Sequence, residues 1–290
     1  MIALAIDIGG TKVAAGLVDS DGRLLLRHDE PTPDTDDAEV MWAVVISALE
    51  AVRGSDVAVC GVGCGGPMTG EGELVSPLNI GAWRDFPLRS RLADHLGLPV
   101  AVDNDAKALA LGEGWHGAAA GERNFLAMVV STGVGGGIVL DGRLLDGSAG
   151  NAGHIGHVIV EPDGHICGCG ARGCLEAEAS GTAIRRITGR PPAQAPDEVR
   201  SRTGTLVGRA IASVANLLDL PLAVVAGSVA LGYGELFFAA AQAEIDDRAR
   251  LAFSVGTRVR PGGLGAHGPL VGAAAVGFQY LRGRATDVQP

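Results

Sequence analysis

The chain has 290 residues, 47% of them hydrophobic and 19% charged, enough to bury one large core or two ordinary ones. Its 23 basic residues face 33 acidic ones, a net charge of −10, which excludes the basic footprint of a nucleic-acid binder and points to small-molecule partners. No apolar run reaches the ~20 residues of a membrane span, no leader precedes Asp7, and the five cysteines are an odd number, so a cytoplasmic chain without membrane or disulfide framework is expected.

In chain order, residues 2–8 read as a buried strand broken by Gly9-Gly10. Residues 13–19 and 23–27 form a hairpin around Ser20-Asp21-Gly22. Val40, Ala43, Val44, Ala48 and Val52 recur at helical spacing, predicting a helix over 38–52 that Gly54 stops. A strand at 57–62, a helix at 87–96 and a strand at 99–102 follow. A helix over 106–115 is expected to link the two halves. The second half repeats the grammar: strand 125–130, a glycine turn, strand 137–140 and a short strand near Leu144. Helices over 204–218 and 233–243 flank a strand at 222–225, and 191–196 is a surface loop. The repeated order predicts an α/β fold of two related domains with a cleft between them. The expected division sets residues 1–104, with a C-terminal helix at about 276–290, against residues 105–275.

Three turns have the chemistry to hold phosphate. Asp7-Ile8-Gly9-Gly10-Thr11-Lys12 lies between two strands, where glycines let N–H groups approach an anion and Thr11 and Lys12 add a hydroxyl and a cation. Asp7, at a strand end, suits a magnesium ion and its waters. An ordinary hairpin is the alternative, and the spacing is not that of a Walker A loop. Ser131-Thr132-Gly133-Val134-Gly135-Gly136-Gly137 is a second such turn at the matching point of the second half. Ala226-Gly227-Ser228, between strand and helix, is a third candidate, where an adenosine would lie against the bare backbone; a plain strand–helix turn is the alternative.

The spacing of these turns resembles the sugar kinase and actin-like ATPase superfamily, with its duplicated ribonuclease-H-like domains. Within it the chain resembles the ROK family (repressors, open reading frames and kinases) over nearly its whole length. A metal motif strengthens the likeness. His157, Cys167, Cys169 and Cys174 make H-x9-C-x-C-x4-C, a soft, closed ligand set that favours structural zinc over catalytic zinc. His165 competes as fourth ligand, and His157 is the position the ROK pattern uses. A zinc hydrolase is disfavoured by the closed set and by the absence of an H-E-x-x-H helix.

The resemblance implies an ATP- and magnesium-dependent sugar kinase. Asp105, in Asn104-Asp105 at a strand-to-helix junction, would be the catalytic base for the sugar C6 hydroxyl. Its other reading is an N-cap for the helix that follows, a role Asp103 also suits. Gly66, Asn79, Asn104, Asp105, His154, His157 and Glu176 would contact sugar. Asp7, Gly9, Gly10, Thr11, Lys12, Thr132, Gly133, Gly135, Gly227 and Ser228 would contact the nucleotide. Where ROK glucokinases carry E-x-G-H, this chain has His154-Ile155-Gly156-His157. A neutral imidazole donates as well as accepts. That variant resembles bacterial N-acetylmannosamine kinases and favours N-acetylmannosamine over glucose. The remaining alternatives are a sugar-sensing ROK regulator, for which no helix-turn-helix precedes residue 7, and polyphosphate as donor. Family likeness implies a homodimer, with a homotetramer as the alternative.

Overall fold

The computed structural model describes residues 1–54 and 56–286. The elements run β1 (Ile2–Ile8), β2 (Lys12–Asp19), β3 (Leu24–Pro31), α1 (Ala38–Glu50), β4 (Val57–Cys64), α2 (Leu88–Leu96), β5 (Val100–Asn104) and α3 (Asp105–His116). Then come β6 (Phe125–Val130), β7 (Val134–Leu140), β8 (Arg143–Leu144), α4 (Leu175–Ala179), α5 (Gly181–Thr188) and α6 (Asp197–Leu218). The chain continues with β9 (Leu222–Ala226), α7 (Ser228–Tyr233), α8 (Glu235–Arg248), β10 (Arg258–Pro261) and α9 (Gly268–Thr286).

These elements form two units with the same strand plan. The first sheet has the order β3-β2-β1-β4-β5 and the second β10-β9-β6-β7-β8. In each, a three-stranded antiparallel meander is extended by two parallel strands: β1 pairs with β2 antiparallel and β4 parallel, as β6 does with β7 and β9. The duplication expected from sequence is therefore present strand for strand.

In the first unit the alternation along β1 sorts side chains by size. Leu4, Ile6 and Ile8 join Met41, Val45, Leu49, Leu88 and Leu92 on the face that α1 and α2 cover. Ala3 and Ala5 join Leu270, Ala273, Ala274 and Phe278 on the other, beneath α9. Small residues let α9 lie against backbone: a methyl on Gly61 would overlap the Ala273 carbonyl, and one on Gly112 of α3 would lie 3.0 Å from Gly272. Asp37 caps α1 by accepting from Glu39 N at 2.9 Å, and the helix closes at Glu50, before the expected Val52.

That packing sets the division of the chain. The first unit comprises Met1–Gly117, Asp146–Ala152 and the chain from Leu264 onward; the second comprises Ala118–Leu145 and Gly153–Gly263. The sequence reading divided the chain after residue 104 and treated the next helix as a linker. Instead α3 lies in the first unit, because its glycine face takes α9. Helix α9 starts at Gly268, earlier than the expected 276, and residues 287–290 of that expectation lie outside the described residues.

The second unit packs Leu126, Met128 and Val130 of β6 against Leu206, Val207, Ala210 and Ile211 of α6. Helix α6 starts at Asp197 and meets α8 at glycines, Gly204 over the Phe237 backbone and Gly208 over Ala241. The single helix expected at 233–243 is two, α7 and α8, because Gly234 (φ 59°, ψ −137°) breaks the chain between them. No helix among the described residues is long and apolar enough to cross a membrane.

Candidate functional site

In the first unit the carboxyl ends of the parallel strands collect the acidic residues, the edge where open α/β sheets bind ligands. Asp7 of β1 pairs with Gly63 of β4, which pairs with Asp103 of β5; one step on, Cys64 pairs with Asn104. A methyl on Gly63 would sit 3.5 Å from Asp7 Oδ1 and 3.5 Å from Asp105 Cα. The Asp7 carboxylate and the Asp105 backbone thus both lie against the bare backbone of Gly63. The N-cap of α3 is neither Asp103 nor Asp105, as the alternative reading had it. Asn104 Oδ1 accepts from Ala106 N at 3.0 Å and Lys107 N at 3.4 Å. Asp105 is the first helical residue and accepts from Ala106 N at 2.8 Å. Asp103 accepts from Asn104 N at 2.7 Å and pairs with Lys107 at 2.9 Å. The buried Lys107 ammonium also reaches Asp146 at 2.8 Å and the Gly150 carbonyl at 3.1 Å.

Burial first, and then the charge of Asp105, pushes the Asp7 carboxyl up to about 7, against the opposing pull of Lys12 and Arg27. Both cations are already engaged. Lys12 Nζ donates to Asp29 at 3.2 Å across the β2–β3 hairpin, and Arg27 Nε to the same carboxylate at 2.8 Å. Burial pushes the Cys60 thiol up to about 12; burial and the two carboxylates push Cys64 well up, so neither is a nucleophile or metal ligand.

The Gly9–Lys12 turn closes with Gly9 N donating to Lys12 O at 3.0 Å and Thr32 Oγ1 to Gly9 O at 2.6 Å; the Thr11 side chain is exposed. Asn79 lies directly against it. A methyl on Gly10 would meet the Asn79 Cβ and carbonyl at 2.8 Å, and one on Gly65 the Asn79 Oδ1 at 3.2 Å. Arg84 Nη1 holds that loop through the carbonyls of Pro77 at 3.1 Å and Ile80 at 2.9 Å, while Leu78 N donates to Gly66 O at 3.2 Å. The structure therefore brings Asp7, Gly9, Gly10, Gly66, Asn79, Asn104 and Asp105 to one edge of the first unit. It engages Lys12 sideways with Asp29.

In the second unit the expected turn over 131–137 shrinks to Ser131–Gly133. Gly135 lies inside β7, paired with Val129, rather than in the expected turn. The glycine run serves packing, since a methyl on neighbouring Gly136 would meet the Ile155 side chain at 2.8 Å and the Ala127 carbonyl at 3.0 Å. The turn is tied down from α5. Gly181 N donates to Ser131 O at 2.7 Å, and Thr182 donates to Thr132 O through N at 3.2 Å and Oγ1 at 3.0 Å. Gly227 (φ 99°) takes a conformation open to glycine, against the Val130 carbonyl, and places Ser228 Oγ 3.0 Å from Ser131 Oγ. Two of the three turns therefore adjoin. Glu176 also reaches this turn: its Oε2 accepts from Val134 N at 3.0 Å.

The metal motif closes on itself. The ligand atoms of His157, Cys167, Cys169 and Cys174 all lie within 4.8 Å of one another. His157 Nδ1 is 3.7 Å from Cys167 Sγ, and Cys169 Sγ is 3.7 Å from Cys174 Sγ. Tetrahedral zinc, with Zn–S bonds of about 2.3 Å, sets sulfurs roughly 3.8 Å apart, whereas a disulfide is bonded at about 2.0 Å. The donor set and its spacing fit a structural zinc ion. His165, the competing ligand, points elsewhere, to Glu178 at 2.8 Å. The buried Glu178, which sequence reasoning passed over, also accepts from His165 N at 2.6 Å and from Arg202 of α6 at 2.8 Å. No local motif could have revealed it, because its partners are 13 and 24 residues away. His154 ends the loop before a 3-10 turn over Ile155–His157, with its ring 6.1 Å from that of His157.

Two α/β units of identical strand plan, each with a hydroxyl-and-glycine turn after its first strand, define the fold of the actin-like ATPase superfamily. Within that class the chain belongs to the ROK family, whose profile matches residues 3–279. It is 39% identical to an N-acetylmannosamine kinase of Citrobacter koseri, over 81% of this chain and 86% of that one. It is 41% identical to a glucokinase of Streptomyces coelicolor, over 64% of this chain and 58% of the relative. Among solved structures, a ROK glucokinase of Streptomyces griseus in complex with glucose and AMPPNP superposes with a TM-score of 0.82 at 31% identity, covering 96% of this chain and all of that one.

Proposed function

We propose that this protein is an ATP-dependent sugar kinase that phosphorylates the C6 hydroxyl of a hexose or N-acetylhexosamine, with N-acetylmannosamine as its preferred substrate. The observation that carries the reading is that Asp7 and Asp105 both lie against Gly63, at the carboxyl ends of β1, β4 and β5. Asp105, fixed on the first turn of α3, takes the proton of the sugar C6 hydroxyl. That oxygen forms its bond to the γ-phosphorus as the bond to the β-phosphate oxygen breaks and ADP leaves. Asn104, beside it, orients the sugar.

Asp7, held beside a second carboxylate with both nearby cations engaged elsewhere, suits a divalent cation. Magnesium bound there would neutralise charge on the transferring phosphate. Thr132, Gly133, Gly227 and Ser228 line adjoining turns suited to the nucleotide. Glu176 and the free nitrogen edge of His157 accept from and donate to the sugar hydroxyls, and zinc on His157, Cys167, Cys169 and Cys174 braces the loop that carries them.

The preference for N-acetylmannosamine rests on His154 in H-x-G-H and is supported by the relative that bears that activity in its name. A glucokinase is the alternative within the same chemistry. Coupled ADP-release assays on N-acetylmannosamine, N-acetylglucosamine, glucose and mannose test both. Highest kcat/KM on N-acetylmannosamine supports the proposal and highest on glucose replaces it. Turnover on none of the four overturns the kinase and leaves a sugar-sensing regulator.

A further inference from the structure

We infer that Glu176 keeps the phosphate turn of the sugar-free protein closed to nucleotide, and that sugar opens it by taking the carboxylate away. The inference rests on the kinase reading above. Its structural basis is local to the second unit. Glu176 Oε2 accepts the Val134 N–H at 3.0 Å, and a methyl on Gly133 would lie 2.9 Å from the same oxygen. A negative charge thus covers the mouth of the turn whose backbone would face a phosphate. Two anions cannot share so small a donor set without strong repulsion.

The turn does not need Glu176 for its shape. The carbonyls of Ser131 and Thr132 are held from α5 by Gly181 and Thr182, and Ser131 N bonds Gly133 O at 2.9 Å. Nor does α4 need to move. Cys174, two residues before Glu176, belongs to the metal cluster, and Glu178, two residues after, is clamped by Arg202 and His165. The backbone is pinned on both sides, so release is a rotation of one half-buried side chain. Sugar hydroxyls are the donors that can drive it, because a carboxylate offers about four acceptor sites and satisfies several hydroxyls at once. The device couples the two ligands and keeps water from being phosphorylated when no sugar is present.

The test is calorimetric titration of the intact chain, wild type, Glu176→Gln and Glu176→Ala, with the magnesium complex of a non-hydrolysable ATP analogue. Glu176→Gln removes the charge and Glu176→Ala also clears the turn, and circular dichroism verifies that each folds. Without sugar, both variants are expected to bind the analogue about tenfold more tightly than wild type and to hydrolyse ATP faster. Adding N-acetylmannosamine or glucose, whichever is turned over, should tighten the wild-type Kd by about tenfold and leave the variants unchanged. An unaltered sugar-free Kd in both variants, with sugar turnover lost, makes Glu176 a sugar acceptor alone and overturns the gate while the kinase stands. Failure of the wild type to bind the analogue at any sugar concentration overturns both.

Discussion

Replacing Asp105 by Asn tests the acidic edge of the first unit with two independent readouts. Burial and the charge of Asp105 hold the Asp7 carboxyl at about 7, against an ordinary value of 3.8. An acid whose folded pKa is raised keeps its proton better folded than unfolded. It therefore costs the fold nothing below pH 4, progressively more as pH climbs to 7, and a constant amount above. Three pH units correspond to a cost on the order of 4 kcal/mol. Burial, the larger cause, survives the substitution, so Asp105→Asn should recover about 1–2 kcal/mol at pH 8 and nothing at pH 4. For a chain of this size that is a rise in Tm of a few degrees at pH 8. Urea unfolding in magnesium-free buffer at the two pH values measures it. Turnover of the same variant should fall by about 10²–10⁴. A stability change equal at both pH values would refute the electrostatic coupling of these two carboxylates, and near-wild-type turnover would refute the role proposed for Asp105.

The metal cluster predicts about one zinc per chain by elemental analysis, lost in Cys174→Ser together with sugar turnover; a zinc-free chain of full activity would exclude the bracing role. His154→Glu should lower the ratio of kcat/KM on N-acetylmannosamine to that on glucose by about tenfold, since a glutamate only accepts where the imidazole also donates. An unchanged ratio removes His154 from substrate choice. Lys107→Met strands Asp103, whose side chain is 18% exposed against 3% for Lys107, and should cost about 3 kcal/mol at pH 7. Burial raises the Asp103 carboxyl above the ordinary carboxylate range and Lys107 opposes that rise. The loss should therefore shrink as pH falls and Asp103 takes up a proton, and a pH-independent loss in urea melts would assign it to packing alone.

The duplicated strand plan was legible because period-two burial and glycine breaks repeat at matching points in both halves. Asp7 and the group His157, Cys167, Cys169 and Cys174 stand out in short segments of suggestive local spacing, and the latter four do converge; Asp105 stands out only through the ROK resemblance. What escaped was set by partners distant in sequence. Gly135 reads as one more turn glycine until β6 is seen paired across it, and Gly61 and Gly112 acquire meaning only beneath α9. The unit boundary was misplaced for the same reason, because residues 105–117 declare their allegiance through helix packing against residues more than 150 positions later. Lys12, a cation in a glycine turn, reads as a phosphate ligand; its pairing with Asp29 depends on the hairpin register.

The matching turns also differ in the charge around them, and this difference assigns them separate work. In the second unit the turn is overlain by the Glu176 carboxylate, which accepts from Val134 N at 3.0 Å. In the first unit the turn stands beside Asp7 and Asp105, fixed on a strand and a helix, while Lys12 and Arg27 are held by Asp29 and Lys107 by Asp103 and Asp146. Among the described residues, these three cations each already face a carboxylate. On the kinase reading proposed above, the compensating charge would arrive with the nucleotide as a divalent cation. Free ATP should accordingly bind at least about tenfold more weakly than MgATP, and Asp7→Asn should narrow that gap by strengthening free ATP and weakening the magnesium complex. Calorimetry with and without magnesium reads both values directly. Equal affinities for free and magnesium-bound ATP in the wild type would mean that some other positive charge serves the phosphates, and the role given to Asp7 would fall.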